Sequence, residues 1–266
     1  MPLSDAAVAF SESRIDVAGS TVRYLEGGEG EPVIVLHGDE GLYLNRTHEL
    51  LAEQVRVVAL EIPGFDGSAS DEQAGSLQDL AVSVLEMIDA LGIERFSLVG
   101  ISFGAALASW IATESAQRID KLVLIASSAI RDEAVEIPES TAPDELKRFL
   151  FAHPDEHELP FDREGAEKGR AMLSLLLPPR NPELEERLST LEVPTLVVFG
   201  ADDVVTPPEL GRHYVELIPE AFHAIVYDAG HAVDIERPEA TAEIVADFLN
   251  RGSTFTVEQV SSLQFP

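Results

Sequence analysis

The chain has 266 residues, 45% of them hydrophobic, enough to bury the core of one large α/β domain or of two small ones. Acidic residues outnumber basic ones 48 to 18, a net charge of −30 that repels nucleic acid and anionic membranes. Cysteine is absent, which removes disulfides, thiolate chemistry and cysteine-based metal sites.

Such an acidic surplus suits solubility at high salt, where screening weakens self-repulsion. No run of about 18 apolar residues is present to cross a membrane. The first 14 residues lack a basic stretch ahead of an apolar one, so a cytoplasmic protein is expected.

Residues 13–17 and 21–25 alternate in polarity around Ala18-Gly19-Ser20 and predict a β-hairpin. Residues 32–36 are continuously apolar, as a strand covered on both faces would be, and end at His37-Gly38. A helix is predicted over 46–54, then a second buried strand over 55–60 closed by Pro63-Gly64. Leu80, Val84, Leu85 and Ile88 share one face of a helix predicted over 76–91, which Gly92 stops. A strand over 96–99 runs through Gly100-Ile101-Ser102-Phe103-Gly104 into a helix over 103–115, and another strand follows at 121–126.

From 131 to 190 the rhythm breaks into a segment rich in proline and acid, with helical fragments at 144–151, 163–177 and 183–191. It resumes with a strand at 195–199, a helix at 208–217, a strand at 224–227 and a helix at 238–250. Residues 252–266 read as a polar tail with no core role. The alternation predicts an α/β fold with a mostly parallel sheet covered by helices on both faces. Its core would span 1–130 and 191–251, with 131–190 inserted at the functional end.

The stretch from Gly100 to Gly104 reads G-x-S-x-G at a strand-to-helix junction. A serine hydroxyl is a weak nucleophile until a sharp turn exposes it and a base takes its proton. The base must be a neutral imidazole, oriented by an acid, and in open α/β sheets such groups gather beyond the carboxyl ends of the strands. Of seven histidines, His48 and His213 fall in helical patterns, His153 and His157 in the insertion, and His223 ahead of a strand. His37 and His231 each follow a strand, and His231, in Asp228-Ala229-Gly230-His231, lies in a loop that can aim at Ser102. No acid follows the strand ending at Ala126; the candidates are Asp202 and Asp203, between Gly200 and Pro207.

The nucleophile, acid, base order and its flanking motifs resemble the α/β-hydrolase superfamily over about 13–250. The matching pieces are His37-Gly38, Pro63-Gly64-Phe65-Asp66-Gly67-Ser68, Gly100 to Gly104, the strand leading into Gly200, and Gly230-His231. The resemblance implies that fold, selects Asp203 over Asp202 by its spacing from Gly200 and Pro207, and makes Ser102, Asp203 and His231 the catalytic residues. It further implies an oxyanion hole from the backbone N–H groups of Asp39 and Phe103, and a cap over 131–190. The chain departs from it at Asp66, commonly glycine, and at Asp39 and Glu40, commonly small.

The implied activity is a serine hydrolase that cleaves a small, neutral carboxylic ester through an acyl-enzyme. A serine elbow argues against the dehalogenase and epoxide hydrolase relatives, which use aspartate there. The alternatives are a C–C bond hydrolase of dienoate ring-cleavage products, a perhydrolase-like enzyme, or, in another class, a ligand-binding receptor. Phe149, Met172 and Arg180 are the candidate substrate contacts. The acids of the insertion, Asp144 to Asp162, disfavour anionic substrates. No HExxH, P-loop or dinucleotide fingerprint is present, so neither metal nor cofactor is expected. The expected partner is a small-molecule substrate; nothing in the sequence sets the oligomeric state.

Overall fold

The computed structural model describes residues 8–17, 20–65, 75–130, 142–177 and 180–255. Within them β1 (Ser11–Val17), β2 (Ser20–Gly27), β3 (Pro32–Leu36), β4 (Arg56–Leu60), β5 (Phe96–Ile101), β6 (Ile119–Ile125), β7 (Thr195–Gly200) and β8 (Ala221–Val226) form one sheet in the order β1-β2-β4-β3-β5-β6-β7-β8. The first two strands pair antiparallel, as does β2 with β4; every later pair is parallel.

The central strands are apolar at nearly every position beyond their first residues because both faces are covered. Ile34, Leu36, Val58, Leu60 and Leu98 point into one core, while Val33, Val35, Val57, Ala59 and Val99 point into the other. The first core is closed by α2 (Leu77–Ala90), α3 (Phe103–Glu114) and α7 (Leu210–Leu217), the second by α1 (Arg46–Ala52) and α9 (Pro238–Arg251). The mostly parallel α/β architecture predicted from the alternation is therefore the one observed.

Between β6 and β7 lie α4 (Pro143–Leu150), α5 (Arg163–Leu176) and α6 (Pro182–Leu188). Leu184 and Leu188 of α6 are buried in the same cluster as Trp110 and Ile111 of α3, and Arg187 stacks over the Trp110 ring. A short α8 (Val233–Glu236), which no periodicity announced, precedes α9. None of the described helices is long and apolar enough to cross a membrane.

Three sequence expectations need correction. Strand β8 begins at Ala221, so His223 lies inside it, opposite Val197, rather than ahead of it. The tail has a core role at its start: Phe255 is buried edge-on against Phe222 and Phe248. Helix α7 starts at Leu210 instead of 208. The hairpin turn Ala18-Gly19, the Asp66-Gly67-Ser68 motif, residues 131–141 and the tail from 256 onward lie outside the described residues.

Candidate active site

Parallel strands in adjacent registers bring their carboxyl ends to one edge. Leu36 pairs with Gly100, Ile101 with Ile125, Ile125 with Val198, and Gly200 with Val226, so the loops after β3, β5, β6, β7 and β8 meet. Ser102 stands at the end of β5, its N–H still continuing the ladder to Ile125 O at 2.8 Å. There the chain turns sharply, with Ser102 at φ 49° and ψ −108°. Two glycines make the turn possible. A Cβ on Gly100 would lie 2.4 Å from Gly104 O, and one on Gly104 would lie 2.3 Å from His37 O. The close fit of Gly104 also presses the start of α3 against the turn after β3.

Ser102 Oγ is 2.9 Å from His231 Nε2, and His231 Nδ1 is 2.9 Å from Asp203 Oδ2. All three residues are buried. An ionised carboxylate only accepts, so the His231 proton sits on Nδ1 and Nε2 is left to accept from the serine hydroxyl. Asp203 is itself held in place. Its Oδ1 accepts from the Val205 and Thr206 N–H groups, each at 2.8 Å, and its Oδ2 accepts from Thr206 Oγ1 at 2.8 Å. The loops carrying acid and base are joined as well, Asp202 N–H donating to Ala229 O at 2.9 Å. Such a relay can take a proton from the serine and return it to a leaving group.

Phe103 opens α3, so its N–H is among those the helix cannot satisfy itself. Asp39, in the turn after β3, lines the same cavity as Ser102. His37, the other strand-end histidine, is structural. Its Nδ1 bonds Gly38 O at 2.6 Å and its Nε2 accepts from Ile62 N–H at 3.0 Å, tying the loops after β3 and β4 together.

The cavity has two kinds of lining. Leu146, Phe149, Leu150, Phe161, Leu173 and Leu177 make an apolar wall from α4, α5 and their connection. Asp39, Glu40, Tyr43, Asp234 and Ser128 supply the polar lining, and Arg170 of α5 lines the cavity as well. Of the three sequence-predicted contacts, Phe149 lines the cavity. Met172 does not: it faces the backbone at Gly64, on the other side of α5. Arg180 does not either; it makes a bidentate bond to Glu185, both contacts at 2.9 Å, on the surface. Arg170 is the cationic lining residue instead. Ala166, Arg170, Leu173 and Leu177 recur every three to four residues, so helical spacing could have found it.

Enclosing these acids is unfavourable. Burial pushes the Glu40 carboxyl up to about 8, with the nearby Asp39 charge adding to the effect. Burial raises Asp39 too, against the opposing pull of His231, its own N–H and Arg170. Asp234 is raised by burial, although Asn45 Nδ2 donates to it at 2.6 Å. For His231 burial acts downward, but the charge and hydrogen bond of Asp203, with the charges of Asp39 and Glu40, outweigh it and the net shift is upward.

The Glu40 shift has a stability consequence. The unfolded chain ionises this residue near 4.5 while the folded one keeps it protonated to about 8, so it subtracts stability as pH rises through that interval. Glu40→Gln is expected to raise the melting temperature by a few degrees at pH 8, where about 1 kcal/mol corresponds to 2–4 °C. The gain should vanish towards pH 4.5; melts at the two pH values check it.

A family model described as the alpha/beta hydrolase family matches residues 33–244. The chain is 31% identical to the dihydrolipoyllysine-residue acetyltransferase component of the acetoin cleaving system of Pseudomonas putida, over 93% of this chain and 72% of that protein. It is 28% identical to 2-hydroxy-6-oxo-6-(2'-aminophenyl)hexa-2,4-dienoic acid hydrolase of Metapseudomonas resinovorans, over 93% of this chain and 94% of that one. Among solved structures, a meta-cleavage product hydrolase from Pseudomonas fluorescens IP01 superposes with a TM-score of 0.76 at 25% identity, over 90% of this chain and 97% of the other.

Proposed function

The chain belongs to the alpha/beta hydrolase family, and from that premise we propose that it is a serine hydrolase cleaving a small, uncharged carboxylic ester through an acyl-enzyme. The observation that carries this reading is the unbroken bonding from Asp203 through His231 to Ser102, the last two lining a largely apolar cavity. Within it, Ser102 is the nucleophile, His231 the general base and Asp203 its orienting acid. The Phe103 and Asp39 N–H groups form the oxyanion hole, and residues 131–190 form a cap. Phe149 and Arg170 are the cap's contacts with substrate.

Ser102 Oγ attacks the ester carbonyl carbon as His231 Nε2 takes the hydroxyl proton. The carbonyl π pair moves to oxygen, and the two N–H groups hold the charge that develops there, each donor being worth about 3–4 kcal/mol in related sites. Collapse breaks the carbon–oxygen bond to the alcohol, which leaves with the proton from His231. Water then attacks the acyl carbon, giving its proton to His231. A second collapse releases the acid and returns the proton to Ser102 Oγ.

Cleavage of a dienoate at carbon has the names of several relatives in its favour, and Arg170 as a cation in the cavity. Asp39 and Asp234 in the same cavity oppose a carboxylate-bearing substrate, and Glu40 joins them only once ionised, above about pH 8, which is why the ester reading ranks first. A fluorophosphonate probe is expected to label the wild type at Ser102, and p-nitrophenyl esters to turn over faster than a dienoate. Absence of labelling would leave a binding protein; faster dienoate cleavage would reverse the ranking.

The base must be neutral to act, and its value is raised, so kcat/KM should fall as pH drops through a midpoint above 6.5. Asp39→Asn removes one of the raising charges and should move that midpoint down. A pH–rate profile of the two proteins tests both statements.

A further inference from the structure

The catalytic loops are not free-standing: the cap touches both of them backbone to backbone. Gly169 of α5 lies so close to the oxyanion turn that a Cβ there would sit 2.0 Å from Asp39 O. Gly230, immediately before His231, faces the stretch after α4, where a Cβ would sit 2.8 Å from Ala152 N and 2.9 Å from Leu150 O. Ala232 N–H, on the other side of His231, donates to Leu150 O at 2.8 Å.

Glu236 closes this second junction. Its Oε2 accepts from Gly230 N–H at 2.6 Å and Ala152 N–H at 3.1 Å, and its Oε1 accepts from His153 N–H at 3.0 Å. The side chain is 1% exposed, with His157 Nε2 at 3.9 Å from Oε1. The neighbouring cation, Arg237, is directed to Asp228. Backbone donors from the base loop and from the cap thus converge on one buried carboxylate.

Resting on the reading of Ser102 and His231 given above, we propose that Glu236 is a positioning residue that fixes the base loop against the cap, so that His231 is aligned only while the cap is docked. The Gly230 amide is one residue from the base, and the Ser102–His231 contact spans 2.9 Å. A displacement of about 1 Å at that contact is enough to cost about 10²-fold in rate. The same clasp fixes Leu150, which with Leu146 and Phe149 forms the α4 wall of the cavity. Wall and base therefore move as one body.

The test uses the full-length protein with Glu236→Ala and Glu236→Gln. Asp228→Asn, which alters the outer ties to His153 and Arg237 and none of the Glu236 bonds, is the control. Active-site titration with a fluorophosphonate counts competent sites, and kcat is expressed per titrated site. Glu236→Ala is expected to lose about 10- to 100-fold in kcat per site with KM within about twofold. Glu236→Gln, which keeps one acceptor oxygen, should lose less, and Asp228→Asn should stay within about twofold. Wild-type kcat per site in both Glu236 variants, with only the melting temperature lowered, would overturn the proposal.

Two measurements do not need turnover. The Gly230 amide should lose hydrogen-exchange protection in Glu236→Gln, and the low-field His231 Nδ1 proton should broaden or vanish. Both signals unchanged would overturn the proposal. If the wild type fails to label at Ser102, the function reading falls, while these two signals still decide whether Glu236 sets the geometry of the base.

Discussion

Ser102→Ala is expected to lower kcat/KM for a p-nitrophenyl ester by about 10⁴-fold or more, with no fluorophosphonate labelling and a nearly unchanged melting temperature. The size follows from what is removed. Without Oγ no covalent intermediate forms, and the remaining groups can only hold the ester near water. The oxyanion donors and the cavity still supply a residual acceleration. The fold should tolerate the change, because Ser102 Oγ bonds only His231 among the described side chains and the elbow is shaped by Gly100 and Gly104. Adding a His231 substitution on top should cost little further, because nucleophile and base act as one unit. A second loss comparable to the first would mean that another residue supplies the nucleophile.

Asp203→Asn should lower kcat by about 10³- to 10⁴-fold while leaving the protein folded. The amide oxygen can take the place of Oδ1 and keep the Val205 and Thr206 N–H bonds at the turn. The amide NH₂ then stands where Oδ2 accepted from both His231 Nδ1 and Thr206 Oγ1. A donor facing Nδ1 forces the proton onto Nε2, the nitrogen that must accept from Ser102. The base is thus present, correctly placed and in the wrong tautomer. Stopped-flow release of p-nitrophenol, which isolates acylation, checks this; wild-type acylation in this variant would remove Asp203 from the mechanism.

What was legible in the sequence has a common origin. The buried strands announce themselves by apolar runs, and a nucleophile, an acid and a base placed just beyond such strands need only their order to be read together. Ser102, Asp203 and His231 are brought together by strand pairing, and strand pairing is what the alternation encodes. Residues whose position depends on which face of a short helix meets which loop were not readable in this way. Met172 and Arg170 are two residues apart on α5, and the packing of that helix turns one to the Gly64 loop and the other to the cavity. Glu236 looks like any acid ahead of a proline, because its donors come from its own loop and from residues more than 80 positions away. Phe255 falls in a stretch that reads as a polar tail, because an aromatic isolated among polar residues shows no periodicity, although Phe222 and Phe248 leave a place for it.

The backbone angle at Ser102 sets this chain apart from one selected only to fold. A non-glycine residue at φ 49° occupies a region that L side chains avoid, at a cost of order 1–3 kcal/mol. Glycine would sit there at ease, so the most stable sequence for this backbone and the working sequence differ at residue 102. Neutral drift is opposed at that position by function alone, with no help from folding. Redesign of the chain for stability, left unconstrained, would disarm it first at its proposed nucleophile.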